Sequence, residues 1–348
     1  MDIKKIQDAE VEGKKILLRV DFNAAIEEDT VKEKFKIKAA DETVRYLLGM
    51  NAKIALVTHL GRPEGKVDPH FSLNPIKDDV EYILGHKVKF VHDCIGEEVK
   101  KTVDNLKEGE IVLLENVRFY PGDESNDEEF AKSLAAGFDI FVNDAFSVCH
   151  RDQASVTGVT KFLPSCAGFW LQKEIEELDK IKNNPEHPAV AIIGGAKIET
   201  KLPVIKLFEE KYDHVLIGGK IANEAMNEKM TFSERVLLPT DYVGDHMDIG
   251  VETLVRYKEI IEKAKTVVWN GPTGKFEEEK YAVSSNEILK YILDSEAYVL
   301  IGGGETLEIL ENNNAMDKIA HKGFISTGGG AMLEYLGGEK MPGIEALR

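Results

Sequence analysis

At 348 residues the chain is longer than one hydrophobic core usually serves, so two domains are the default, and 43% apolar with 8% aromatic residues is the content of a folded globular protein. A formal net charge of -18 disfavours nucleic acid and anionic membranes as partners, so an anionic small molecule would need a basic pocket set inside an acidic field. Cys94, Cys149 and Cys166 lack CxxC or zinc spacing, MDIKKIQDAEVEGKK lacks a signal-peptide core, and no stretch approaches 18 apolar residues; the expectation is a soluble, unexported, cytoplasmic protein with reduced thiols.

From the N-terminus, KKILLRVDFN, AKIALVTHLG, KVKFVH, GEIVLLENVRF and FDIFVNDAF read as strands, separated by helical patterns such as IKAADETVRYLLGM and NDEEFAKSLAAG. Their apolar runs are continuous rather than alternating, which predicts a parallel sheet covered on both faces. Next comes AGFWLQKEIEELDKIKNNPEHP, a single helix with late lysines and a stop at Pro185. With no Ser- or Gly-rich linker anywhere, this reads as a rigid interdomain helix suited to hinge closure. Beyond it, five apolar runs each stop at glycine before a helical pattern: AVAIIGGAK, HVLIGGK, VVWNGPTG, YVLIGGGET and GFISTGGGA. The fold class is therefore α/β, two doubly wound, Rossmann-like parallel-sheet domains spanning 1–167 and 185–334 and joined by a helix over 168–184. Ligands in such sheets sit at the carboxyl ends of the strands.

The glycines confine one kind of chemistry to the second half, because every Gly-Gly pair follows residue 190. Without Cβ, backbone N–H groups approach a ligand closely, and a helix N-terminus behind them favours negative charge. Directly after the first pair, Lys197 and Lys201 stand four apart, and two ammonium groups on one helical face call for an anion between them. The first half offers side chains instead. Arginine is scarce, 8 against 36 lysines, yet Arg62, Arg118 and Arg151 each stand just past an apolar run, and converging guanidinium forks suit phosphate or carboxylate. Asp21, Asn23, His59 and His150 share the same sheet edge; Asp21 suits a substrate hydroxyl or an arginine, and His59 an anion or a structural bond. The P-loop pattern GxxxxGKS/T and the GxGxxG dinucleotide fingerprint are missing, and so is the paired HRD and DFG set of protein kinases, since His150-Arg151-Asp152 stands without any DFG.

These strings together resemble phosphoglycerate kinase along nearly the whole chain: RVDFN, HLGRP, LLENVRF, FVNDAF with HR, GGAK, VVWNGP, IGGG with Thr306, STGGGA and a closing PGIEAL, in family order. The resemblance implies a cytosolic, monomeric glycolytic enzyme. Its reaction would be reversible phosphoryl transfer between 1,3-bisphosphoglycerate and ADP, giving 3-phosphoglycerate and ATP, with Mg2+ (Mn2+ as an alternative) and neither nucleic acid nor membrane as partner. It implies that Asp21, Phe22, Asn23, Lys36, His59, Leu60, Gly61, Arg62, Arg118 and Arg151 bind phosphoglycerate. Gly194, Lys197, Lys201, Gly219, Asn270, Glu277, Gly303, Gly304, Glu305 and Thr306 would bind the nucleotide. Catalysis would fall to Lys36, Lys197, Lys201, Gly304, Gly329 and Gly330, and the metal to Glu305. The last segment, 335–348, would pack back on the first domain.

The chain also departs from the family pattern. Lys36 stands where an arginine is usual, keeping the charge and losing the fork, and Glu305 replaces an aspartate. Gln153 stands for a histidine, Ser147 for a glycine, and Ser284 and Ser285 for Gly-Thr. Several dozen residues are missing after residue 226, beside the family's adenine pocket, which puts base specificity in question. The alternative reading is a catalytically weakened homologue that binds nucleotide or phosphoglycerate for regulation; against it stand the intact lysines, arginines and GGG loops.

Overall fold

The computed structural model describes residues 3–24, 26–27, 30–31 and 34–348. Contacts divide the chain into two units, Met1–Ile175 with Met341–Arg348, and Glu176–Lys340. In the first, six parallel strands, β1 (Lys15–Arg19), β2 (Lys53–Val57), β3 (Val88–Val91), β4 (Ile111–Leu114), β5 (Ile140–Asn143) and β6 (Ser165–Ala167), lie in the order β3-β4-β2-β1-β5-β6. The continuous apolar runs have a direct cause. Ile16 and Leu18 face one core with Ile54 and Leu56, while Leu17 faces the opposite one with Ala55 and Val57, so both pleat faces are dry.

The second unit repeats the plan with β7 (Ala189–Ile193), β8 (His214–Ile217), β9 (Val236–Leu237), β10 (Thr266–Asn270), β11 (Tyr298–Gly302) and β12 (Gly323–Ile325), parallel in the order β9-β8-β7-β10-β11-β12. The order reverses between β7 and β10, and a crevice at the carboxyl ends of the strands there is where a doubly wound sheet takes ligands. The helices that position functional residues are α1 (Lys34–Ala39), α2 (Phe169–Asn183), α3 (Leu202–Lys211), α4 (Gly219–Asn227), α5 (Gly304–Asn312) and α6 (Gly329–Gly337).

The unit boundary falls inside α2, between Ile175 and Glu176. At the other end, the segment that returns to the first unit starts at Met341 and not at Tyr335. Tyr335 is held in the second unit by α6, its hydroxyl donating to Asp179 at 2.7 Å and its carbonyl accepting from Lys182 Nζ at 2.6 Å. Met341–Arg348 dock through Gly343 N–H on the Cys149 carbonyl and Lys4 N–H on the Leu347 carbonyl, both at 2.9 Å. A Cβ on Gly343 would stand 2.7 Å from Val156 Cγ1, so the docking needs a residue without one.

Candidate active site in two half-sites

In the first unit the strand ends are stitched together before any side chain is offered to a ligand. Phe22 N–H donates to Thr58 Oγ1 at 3.0 Å, and Gly61 N–H to Asn23 Oδ1 at 2.8 Å. Asn116 Nδ2 donates to the carbonyls of Leu60 and Phe71, at 2.8 and 2.9 Å, while its Oδ1 accepts from Arg118 N–H. The turns after β1, β2 and β4 thereby become one rigid rim. Phe22 and Leu60 turn their side chains into the core, so whatever they contribute to the rim comes from backbone.

Cations gather on that rim. Arg118 is 3% exposed and donates from Nη1 to the Gly61 carbonyl at 2.7 Å. Its Nε lies 3.5 Å from Glu124 Oε1, an ion pair that misses hydrogen-bond geometry, and its Nη2 has no partner among the described residues. Burial, and then Arg151 nearby, lower its pKa to about 10, which leaves it charged at neutral pH. Of the three lysines on α1, Lys36 is the one that joins the cluster: its Nζ donates to the Asn23 carbonyl at 2.7 Å, whereas Lys34 and Lys38 are exposed. Asp21 Oδ1 accepts from Asn23 N–H at 3.0 Å, shaping the turn after β1. Arg151 donates from Nε to His150 Nε2 at 3.1 Å, and burial followed by Arg151 pushes the His150 pKa down to about 4. Arg62, which follows Gly61, is exposed.

The chemistry-bearing residue that sequence reading passes over is Arg19. It lies inside the apolar run of β1, fully buried, with Nη2 3.1 Å from His59 Nδ1. A charged residue where a strand interior is expected was the available signal.

In the second unit the strand ends meet backbone to backbone. A Cβ on Gly194 would stand 2.0 Å from the Pro272 carbonyl oxygen, and one on Gly329 would stand 2.4 Å from Gly303 Cα. Gly219, Gly271 and Gly303 have left-handed φ values of 64°, 92° and 104°. From three of these elbows a helix starts at once: α4 at Gly219, α5 at Gly304 and α6 at Gly329. VVWNGPTG departs from the predicted pattern. A turn and the short 3-10 helix Glu279–Tyr281 follow it, because Ser285 Oγ accepts from Thr273 N–H, Ser284 Oγ bonds Thr273 Oγ1 at 2.6 Å and also donates to Asp248, holding the loop down.

Lys197 and Lys201 do not share a helical face. Lys197 takes a left-handed backbone (φ 67°) and is exposed, and α3 opens only at Leu202, one residue before Pro203. Lys201 is 8% exposed, with Nζ 2.5 Å from the Gly194 carbonyl and 2.9 Å from Asn270 Oδ1. Burial lowers its pKa to about 8, opposed by the Glu305 carboxylate. Asn270 Nδ2 in turn donates to the Gly302 carbonyl at 2.8 Å, and Thr306 Oγ1 accepts from Gly271 N–H at 2.7 Å. Beside this floor opens a cleft of about 410 Å³ whose walls include Gly195, Gly219, Glu277 and Glu305. The hairpin at 242–249 adds Asp245, His246 and Met247 to the lining. Gly304 and Gly330 have open space where a Cβ would stand, and both are exposed at the helix starts.

Comparison with known proteins places this geometry in company. The family described as Phosphoglycerate kinase matches residues 6–233 and 224–339, two pieces that overlap over 224–233. A phosphoglycerate kinase of Moorella thermoacetica is 40% identical over 388 aligned positions, covering 98% of each chain, and one of Borreliella burgdorferi is 37% identical with 100% of each covered. Among solved structures, phosphoglycerate kinase from Pyrococcus horikoshii OT3 superposes with a TM-score of 0.87 and 30% identity over 99% of this chain and 98% of the other. The one from Coxiella burnetii does so with 0.82 and 30%, over 99% of both.

Proposed function

The chain belongs to the phosphoglycerate kinase family, and from that premise we propose that its first unit grips phosphoglycerate with side-chain cations while its second seats the nucleotide on backbone amides. The reaction is reversible phosphoryl transfer between 1,3-bisphosphoglycerate and ADP, giving 3-phosphoglycerate and ATP. Neither attacking oxygen carries a proton that must leave, so no general base is needed. What remains is alignment of two anions and neutralisation of the charge on the group in flight.

The observation that carries the reading is Arg118, buried and charged, with Nε and Nη2 lacking hydrogen-bond partners among the described residues. A bidentate oxyanion is the partner that such a fork takes. Around it, Arg62, Arg151, His59 and Asn23 complete the phosphoglycerate site, with Asp21, Phe22, Leu60 and Gly61 fixing the turns. Lys36 serves the transferring phosphoryl group. In the second unit Lys201, Lys197 and the amides of Gly304, Gly329 and Gly330 serve the same group. Gly194, Gly219, Asn270, Glu277, Gly303 and Thr306 hold the nucleotide. Since the substrates occupy different units, turnover requires the units to close together, and closure also keeps water from the acyl phosphate.

Among the described residues no group of three or more His, Cys, Asp or Glu could hold a metal by itself. That suits Mg2+, which commonly takes one or two carboxylates plus phosphate oxygens, and Glu305, exposed at the start of α5, supplies one. When bound, Mg2+ (or Mn2+) would neutralise phosphate charge. One copy carries both half-sites, so the working form is proposed to be a monomer. Three free, buried cysteines favour a cytosolic setting, and among the described residues no helix is long and apolar enough to cross a membrane. A coupled assay with 3-phosphoglycerate, ATP and either metal should give saturable turnover. ADP binding without turnover in both metals would sink the proposal.

A further inference from the structure

Arg19 makes three contacts that fix its guanidinium completely. Nη1 donates to the Val20 carbonyl at 2.6 Å, Nε to Ser155 Oγ at 3.3 Å, and Nη2 sits 3.1 Å from His59 Nδ1. Ser155 is itself anchored, its N–H donating to Asp123 Oδ1 at 2.9 Å. A guanidinium has donors and no acceptor, and it keeps its proton in proteins. His59 Nδ1 must therefore accept. An accepting Nδ1 leaves the only ring proton on Nε2.

We infer that Arg19 is a positioning residue which locks His59 as a neutral Nε2–H donor, the form in which the ring meets the phosphoglycerate oxyanion. The inference rests on the reading that His59 belongs to the phosphoglycerate site. The described charges around the ring agree. Arg19 from β1, Arg118 from the turn after β4, Arg151 from the loop after β5 and Lys36 from α1 all disfavour an imidazolium, and burial disfavours it more. His59 consequently lies well below the usual histidine range. A neutral ring adds a directional hydrogen bond to the cup without adding to the repulsion among its cations. It also holds that role across physiological pH, whereas an ordinary histidine would switch.

The test uses the intact enzyme labelled with 15N-histidine, the His59 signals being assigned by their loss in His59→Gln. Long-range 15N–1H correlation spectra should show a neutral Nε2–H tautomer that does not titrate between about pH 5.5 and pH 8. An imidazolium, or the Nδ1–H tautomer, overturns the inference without any variant of Arg19. Kinetics then separate positioning from general support of the fold. Arg19→Lys keeps a charge and loses the fork; it should raise KM for 3-phosphoglycerate about tenfold, the scale of one hydrogen bond to a charged group, with KM for ATP unchanged. In a His59→Gln background the same substitution should cost nothing further, and independent, multiplying penalties would overturn the inference. An unchanged KM for 3-phosphoglycerate in His59→Gln alone would instead overturn the placement of His59 in that site, while the spectra still decide the tautomer.

Discussion

In the first unit the proposed oxyanion site is built from long side chains, several of them buried; in the second the proposed site is built mainly from glycine backbone, with the buried Lys201 as its floor. Both stand at the carboxyl ends of six-stranded parallel sheets. Guanidinium forks can be aimed and tuned, but each must be desolvated and held, which is why Arg118 and Arg19 are clamped by carbonyls. Backbone amides need no desolvation of a formal charge, yet they tolerate no Cβ between the elbows. The two half-sites should therefore fail in different ways.

Gly194→Ala should fail hardest. Its methyl would overlap the Pro272 carbonyl, and we expect about 3 kcal/mol or more lost from the second unit, read by urea unfolding, with nucleotide binding gone. A melt indistinguishable from that of the parent would break the comparison at its root. Next in size is Lys201→Met, expected to lower kcat by about 10²–10³-fold with the fold retained. The same ammonium gives a pH signature. Its pKa is lowered to about 8, so the charge is present below that pH and is lost as pH rises through it. kcat/KM for the nucleotide should fall across that range in the parent enzyme, and a profile flat through it would contradict the assignment.

Arg118→Lys tests the other half-site. Charge survives and the fork does not, so KM for 3-phosphoglycerate should rise by roughly 10- to 100-fold while KM for ATP holds. Equal losses for both substrates would mean a fold defect and no aimed fork. Smaller still, Glu305→Asp should shift the Mg2+ concentration at half-maximal rate by about a few-fold, because Mg2+ tolerates little departure from octahedral geometry. Matching Mg2+ and Mn2+ titrations in the two proteins would rule this out. Finally, Lys36→Arg should restore a planar donor and raise kcat about two- to five-fold; unchanged or slower turnover removes Lys36 from the transferring group.

Sequence reading succeeded where a single residue type has one physical use. Gly-Gly after an apolar run marks an elbow because only glycine allows backbones to cross so closely, and the continuous β-branched runs mark strands dry on both faces. It failed where meaning lies in contacts between distant segments. Arg19 reads as strand until His59, 40 residues on, is seen against it. The Lys197–Lys201 spacing suggests a shared helical face, but the left-handed backbone at Lys197 delays the helix. Nothing in LLENVRF announces that Asn116 will bind two carbonyls from the chain around residues 60 and 71. His246 and Asp245, which line the cleft of the second unit from a hairpin, match no motif.

The docking of Met341–Arg348 on the first unit carries a consequence for biosynthesis. Those residues emerge from the ribosome after the entire second unit, so the Cys149–Gly343 bond cannot form until that unit has been translated. Vectorial synthesis thus makes the whole sequence of the second lobe before the stretch that completes the first, and the earlier-made lobe waits, open at that edge, for Met341–Arg348 to latch it shut.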